Sequence, residues 1–166
     1  KILFLHGGAR SQFPLIAQNL LGQNTSTDYL VTGHWSQQAA NVAAKHCQVN
    51  ILNNPHKHSI ANNWDLNPQA AYTHYCPNET INGMQFADIP ETNTPLIADM
   101  TSCLGMNQFD IEKFSCVYAS SQKNLGIAGM CVIFVRQDML SRCPDNLADI
   151  FNYAYQEQVD SLYNTP

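Results

Sequence analysis

The sequence predicts an α/β domain, a mostly parallel sheet flanked by helices. Three observations carry that reading. Apolar runs of strand length alternate with stretches whose apolar residues recur at helical spacing. The runs lack clean two-residue alternation, as in strands covered on both faces. The 166 residues, 45% hydrophobic and 13% charged, have the length and balance of one folded core.

In chain order, the first strand is expected at residues 2–5, where Ile2, Leu3, Phe4 and Leu5 are contiguous. Helical spacing follows at 13–21 and 36–46, and a second strand at 49–52. Residues 53–64 are polar and read as a surface loop. Further strands are expected at 71–75, 96–98, 116–119 and 130–135. The chain opens on a core strand and closes on a polar stretch ending Tyr163-Asn164-Thr165-Pro166, so both ends are expected to be truncations of a larger protein.

Composition excludes several classes. The formal net charge is −5 and no basic run occurs, so there is no nucleic-acid footprint. No apolar stretch is long enough for a membrane span, and residues 1–5 lack the long apolar core of a signal peptide. The six cysteines contain no C-x-x-C pair and several sit within apolar runs, as expected of reduced, buried thiols in a cytoplasmic protein. In that setting the Asn78-Glu79-Thr80 glycosylation sequon is an accident. His56-Lys57-His58 has no third ligand nearby and reads as solvent-facing, so no metal site is expected.

Four features fall where this architecture places ligands, beyond the carboxyl ends of strands. His6-Gly7-Gly8-Ala9-Arg10-Ser11 joins the first strand to a helix; such a turn suits a phosphate at the helix start and equally a purely structural role. Asp99 ends the strand at 96–98, as a helix cap or as a carboxylate in the crevice. Lys123 lies in Ser120-Ser121-Gln122-Lys123-Asn124-Leu125-Gly126 after the strand at 116–119, where a lone lysine is usually a solvated charge. Trp35 opens the second helix, as core or as a flat lid on an aromatic ring. Together, Asp99 and Lys123 match a specific demand. Pyridoxal-phosphate (PLP) enzymes need a lysine amine to hold the cofactor aldehyde and a carboxylate to keep the pyridine nitrogen protonated, making the ring an electron sink.

These residues resemble the phosphoserine aminotransferases, class-V members of the fold-type-I PLP-dependent aminotransferases. The likeness is carried by residues 71–83 (with Cys76-Pro77-Asn78-Glu79-Thr80), by Thr32-Gly33-His34-Trp35-Ser36, by Gln122-Lys123-Asn124-Leu125-Gly126 with Ala128-Gly129, and by Asn164-Thr165-Pro166. It covers essentially the whole chain in order. The resemblance implies that residues 1–166 are the central part of the large, PLP-binding domain, with the small C-terminal domain absent. It implies that Lys123 is the Schiff-base lysine and proton shuttle, that Asp99 pairs with the pyridine nitrogen, and that Trp35 stacks on the ring. Thr80 would bond beside the phenolic oxygen. The backbone N–H groups of Ala9 and Arg10, with the Gln122 side chain, would hold the phosphate. Asn164 and Thr165 would reach the phosphate of the neighbouring subunit, in a homodimer with a shared site.

The implied activity moves an amino group between glutamate and 3-phosphohydroxypyruvate, giving O-phospho-L-serine and 2-oxoglutarate, in serine and also pyridoxine biosynthesis. Arg10 is the candidate in this chain for a substrate anion. Rival readings are an alanine–glyoxylate-type aminotransferase, against which residues 76–80 argue, and a non-catalytic PLP- or phosphate-binding module, against which the pairing of Lys123 with Asp99 argues. The chain departs from the family pattern in Gly7-Gly8-Ala9-Arg10, in Ile127 where proline is common, and in Gly105-Met106-Asn107-Gln108, where an arginine-bearing motif is expected. Residues 146–159 form a longer stretch than is usual.

Overall fold

The computed structural model describes residues 1–53 and 64–163. The elements are β1 (Ile2–His6), α1 (Ala9–Leu20), β2 (Ser26–Val31), α2 (His34–Ala43), β3 (Gln48–Asn53), β4 (Thr73–Tyr75), β5 (Asn78–Glu79), β6 (Met84–Gln85), β7 (Leu96–Asp99), β8 (Cys116–Ser120), β9 (Met130–Val135), α3 (Gln137–Leu140) and α4 (Tyr153–Gln158). Seven strands form one sheet in the order β1-β9-β8-β7-β4-β2-β3, while β5 and β6 make a separate hairpin. Pairings from β8 to β3 are all parallel, and only β9 runs against its neighbours. The mostly parallel α/β fold is therefore as expected.

The register explains where the core sits. Tyr29, His74 and Ile97 are successive partners across the sheet, and Asp99 lies beside Tyr118. Tyr29, Ile97, Cys116, Tyr118 and Ile133 face α1 and α2, with Phe13, Ile16, Leu20, Ala39 and Ala43 from those helices. The opposite face carries Leu30, Tyr75, Ala98, Val117 and Ala119, covered by Phe86, Leu104 and Phe114 from connecting segments. Burial on both faces is what turns strands such as β7 and β8 into unbroken apolar runs.

Three expectations are corrected. First, a strand forms at β2, beside the edge strand β3, where none is expected because Ser26, Thr27 and Asp28 make half of it polar. Asp28 is nevertheless fully buried, its carboxylate accepting from Asn67 N (2.7 Å) and Asn50 Nδ2 (3.1 Å). Second, coverage on both faces fails at the sheet's edge: along β1, buried Leu3 and Leu5 alternate with exposed Ile2, Phe4 and His6. Third, α1 begins four residues before the first apolar residue of its expected span, because its opening turn, Ala9-Arg10-Ser11-Gln12, presents little apolar signal.

Residues 146–159 dock on α1 through buried Asn19, which donates to Phe151 O (2.9 Å) and accepts from Tyr153 N (2.8 Å). All six cysteines are free, with Cys76, Cys116 and Cys131 buried and the others partly exposed. The polar stretch at 53–64 and the His56/His58 pair fall largely or wholly outside the described residues, as do Asn164 and Thr165. No described helix is long and apolar enough to cross a membrane.

Candidate active site

Strands that run in parallel end together, so β1, β2, β4, β7 and β8 deliver their following loops to one edge of the sheet. A cavity of about 220 Å³ opens there, lined among others by Ala9, Arg10, Trp35, Asp99, Gln122 and Lys123. Six residues singled out from sequence thus converge from four separate segments. Thr80 is not among the lining residues and is tied to the cavity through Trp35, accepting from its Nε1 at 3.0 Å.

The turn after β1 fits a helix that must start at the sheet edge. Gly7 has φ +97°, a conformation costly for other residues, and its N–H bonds Gly129 O at 2.9 Å, tying the turn to the loop before β9. Ser11 closes the turn, its Oγ donating to Gly8 O at 2.6 Å. Gly8, the cap residue of α1, has no side chain to accept from the first-turn N–H groups. Those donors and the positive end of the helix therefore meet the cavity at Ala9 and Arg10, a favourable place for an anion.

Asp99 ends β7 and is 8% exposed. No α-helix starts beside it; its Oδ1 accepts from Thr101 N at 3.0 Å in a tight turn, so the helix-cap alternative is set aside. Thr101 in turn accepts from Ser120 N at 3.1 Å, locking the end of β7 to the end of β8. Burial pushes the Asp99 carboxyl above the ordinary carboxylate range, while the Thr101 hydrogen bonds and the Lys123 charge pull it back. A buried carboxylate of this kind gains from a cation brought against it.

Lys123 is exposed at the other side of the cavity, on the loop after β8. Its Nζ lies 5.6 Å from the centre of the Trp35 ring, and Arg10 Cζ lies 5.4 Å from the same centre. The indole faces are thus already a surface for flat or cationic groups. Trp35 is only partly buried, packed against the edge of the core. Gln122 is bonded to Ser120 Oγ, which orients its amide beside Lys123. The loop at 105–108 is held close by Asn124, whose Nδ2 donates to Leu104 O at 3.0 Å.

The chief residue that sequence reasoning missed is Glu79. It is fully buried and its carboxylate accepts from Trp35 N (2.9 Å), Ser36 N (2.7 Å) and Ser36 Oγ (2.6 Å). Its neighbour Asn78, the first residue of the sequon, donates to Ser102 Oγ at 3.0 Å. Only the spacing of a buried cap 43 residues away would have exposed Glu79, and local pattern does not carry it. Among the described residues no group of three or more His, Cys, Asp or Glu side chains is arranged to hold a metal ion.

In sum of chemistry, the cavity offers an aromatic plate, a carboxylate at one edge, a primary amine at another and helix-start N–H groups beyond. A flat heteroaromatic group with a basic ring nitrogen, a reactive carbonyl and a phosphate meets a partner for each part. Residues 1–149 match the family described as Aminotransferase class-V. The phosphoserine aminotransferase of Vesicomyosocius okutanii is 43% identical over 171 residues, covering the whole chain and 48% of that protein. Among solved structures, phosphoserine aminotransferase from Bacillus circulans subsp. alkalophilus superposes with TM-score 0.94 at 36% identity, covering all of this chain and 48% of that one. PLP-bound phosphoserine aminotransferase from Trichomonas vaginalis does so with TM-score 0.91 at 38% identity, over 100% and 49%. The chain spans about half the length of the relatives it matches.

Proposed function

This chain belongs to the class-V aminotransferase family, and we propose that it forms the cofactor-binding part of a PLP-dependent phosphoserine aminotransferase. The substrates are glutamate and 3-phosphohydroxypyruvate, and the products O-phospho-L-serine and 2-oxoglutarate, a cytoplasmic step of serine biosynthesis. The single observation that carries the reading is the convergence of Lys123, Asp99 and Trp35 on one cavity beside the N-terminus of α1. Relatives named phosphoserine aminotransferase at 40–43% identity support the substrate assignment.

The residues present fit PLP. Lys123 would supply the amine that attaches the cofactor, Asp99 would pair with its ring nitrogen, Trp35 would cover the ring, and Thr80 would bond at its phenolic edge. Ala9 and Arg10 N–H groups with Gln122 would hold the phosphate. Bound there, PLP supplies an electron sink for the pair left at the amino-acid α-carbon. Once the substrate amine has displaced it from the cofactor, the freed Lys123 amine would be the base that takes and returns the α-carbon proton. Asp99 would keep a proton on the ring nitrogen, because a cation brought against it would offset the desolvation that penalises its own charge. Arg10 is placed to meet a substrate anion from the rim of the cavity. Asn164 and Thr165 serve the phosphate site of the second subunit of a homodimer.

The test is a coupled assay on the full-length protein with PLP, glutamate and 3-phosphohydroxypyruvate. Production of 2-oxoglutarate that vanishes in Lys123→Ala supports the proposal. Turnover with glyoxylate and alanine but none with 3-phosphohydroxypyruvate overturns the substrate assignment.

A further inference from the structure

We propose that Glu79 is the positioning residue for the Trp35 ring, holding the plate in its ligand-ready orientation before the cofactor arrives. The proposal rests on the reading of Trp35 as the surface that stacks on PLP.

The geometry behind it is unusual for a helix cap. The residue that caps α2 is Gly33, which has no side chain to serve the first-turn N–H groups. Their acceptor comes instead from β5, as the Glu79 carboxylate, which takes Trp35 N on one oxygen and Ser36 N with Ser36 Oγ on the other. The negative charge also meets the positive end of the helix. Glycine at 33 is needed for this approach: a Cβ there would lie 2.6 Å from the Glu79 carboxyl carbon. The next residue along, Thr80, accepts from the indole Nε1 at 3.0 Å. Residues 79 and 80 therefore grip Trp35 twice, at its backbone and at the far edge of its ring.

A ring fixed at both ends keeps little rotational freedom to lose when a ligand stacks on it, and preorganisation of that kind appears as affinity. A carboxylate that merely stabilised α2 would affect folding but would not require Trp35 for its effect on binding. This difference is measurable.

The experiment is a double-mutant cycle on the full-length protein, reading equilibrium PLP affinity by absorbance titration and, without PLP, the melting temperature. Glu79→Gln keeps the shape but turns an amide N–H toward one of the helix donors. It should weaken PLP binding by about tenfold, the scale of one lost charge-assisted hydrogen bond. In a Trp35→Ala background, which has no ring left to position, the same change should alter affinity by less than about twofold. An equal loss in both backgrounds means that Glu79 acts through the fold at large, and overturns the proposal. No loss in either background overturns it as well. If Trp35→Ala alone leaves affinity unchanged, the stacking role itself fails, a result distinct from the other two, and the proposal falls with it. Should Glu79→Gln not accumulate as folded protein, Gly33→Ala, which crowds the carboxylate, completes the same cycle with the same expected and opposing results.

Discussion

Lowering the pH from 7 to 5 probes a buried imidazole that sits one strand from the candidate site. His74, on β4, is 1% exposed, stacked on Tyr29 with ring centres 4.6 Å apart, and bonded through Nε2 to Tyr118 OH at 2.9 Å. Its Nδ1 is buried with no hydrogen-bond partner among the described residues, and burial lowers the imidazole from 6.5 to about 3. Because the folded state holds the neutral ring, the stability this provides is intact above pH 6.5. It is lost as the pH falls toward about 3, since protons bind the unfolded chain first. Each pH unit in that window costs about 1.4 kcal/mol, so about 2 kcal/mol should be gone at pH 5. Urea unfolding of the full-length protein without cofactor, at pH 7 and pH 5, measures the loss from the midpoint and slope. His74→Gln removes the titrating group while leaving every other carboxylate and histidine in place. Its loss between the two pH values should be smaller than that of the parent by about 2 kcal/mol. Equal losses in the two proteins would refute the reasoning, showing that the ring charges within the fold.

Two further outcomes follow from the proposed function. Asp99→Asn should weaken PLP binding by about 1.5–3 kcal/mol, the range for a hydrogen bond to a charged group, and should reduce turnover by more than that because the ring charge matters most in the transition state; near-normal kcat in this variant contradicts the role given to Asp99. Asn164→Ala with Thr165→Ala, mixed with Lys123→Ala under conditions of subunit exchange, should regain part of the activity that neither parent has; confirmed exchange with no recovery contradicts a site shared between subunits.

How far the sequence carried the architecture can be seen element by element. Strands β8 and β9 announced themselves because both their faces are covered, and apolar runs record that directly. Strand β2 stayed hidden because Thr27 and Asp28 are buried but satisfied by partners distant in the chain, so their burial leaves no apolar trace. The start of α1 is set by Gly7 and the Gly8 cap rather than by an apolar stripe, which shifted its expected start. Around the cavity, Asp99, Lys123 and Trp35 were legible because each ends or follows a recognisable element. Glu79 was not, since nothing in residues 78–80 reveals that its carboxylate caps a helix formed by residues 34–43. Strand order belongs with the hidden part: β2 pairs with both β3 and β4, a consequence of packing between elements that no local run encodes.

The central claim is that Lys123 is the amine that binds the cofactor, and reduction of the full-length protein with borohydride in the presence of PLP tests it most directly. Digestion and mass spectrometry should find the pyridoxyl adduct on the peptide containing Lys123, with none when Lys123 is changed to Ala. An adduct of equal yield on another lysine, or its persistence in Lys123→Ala, would contradict the account.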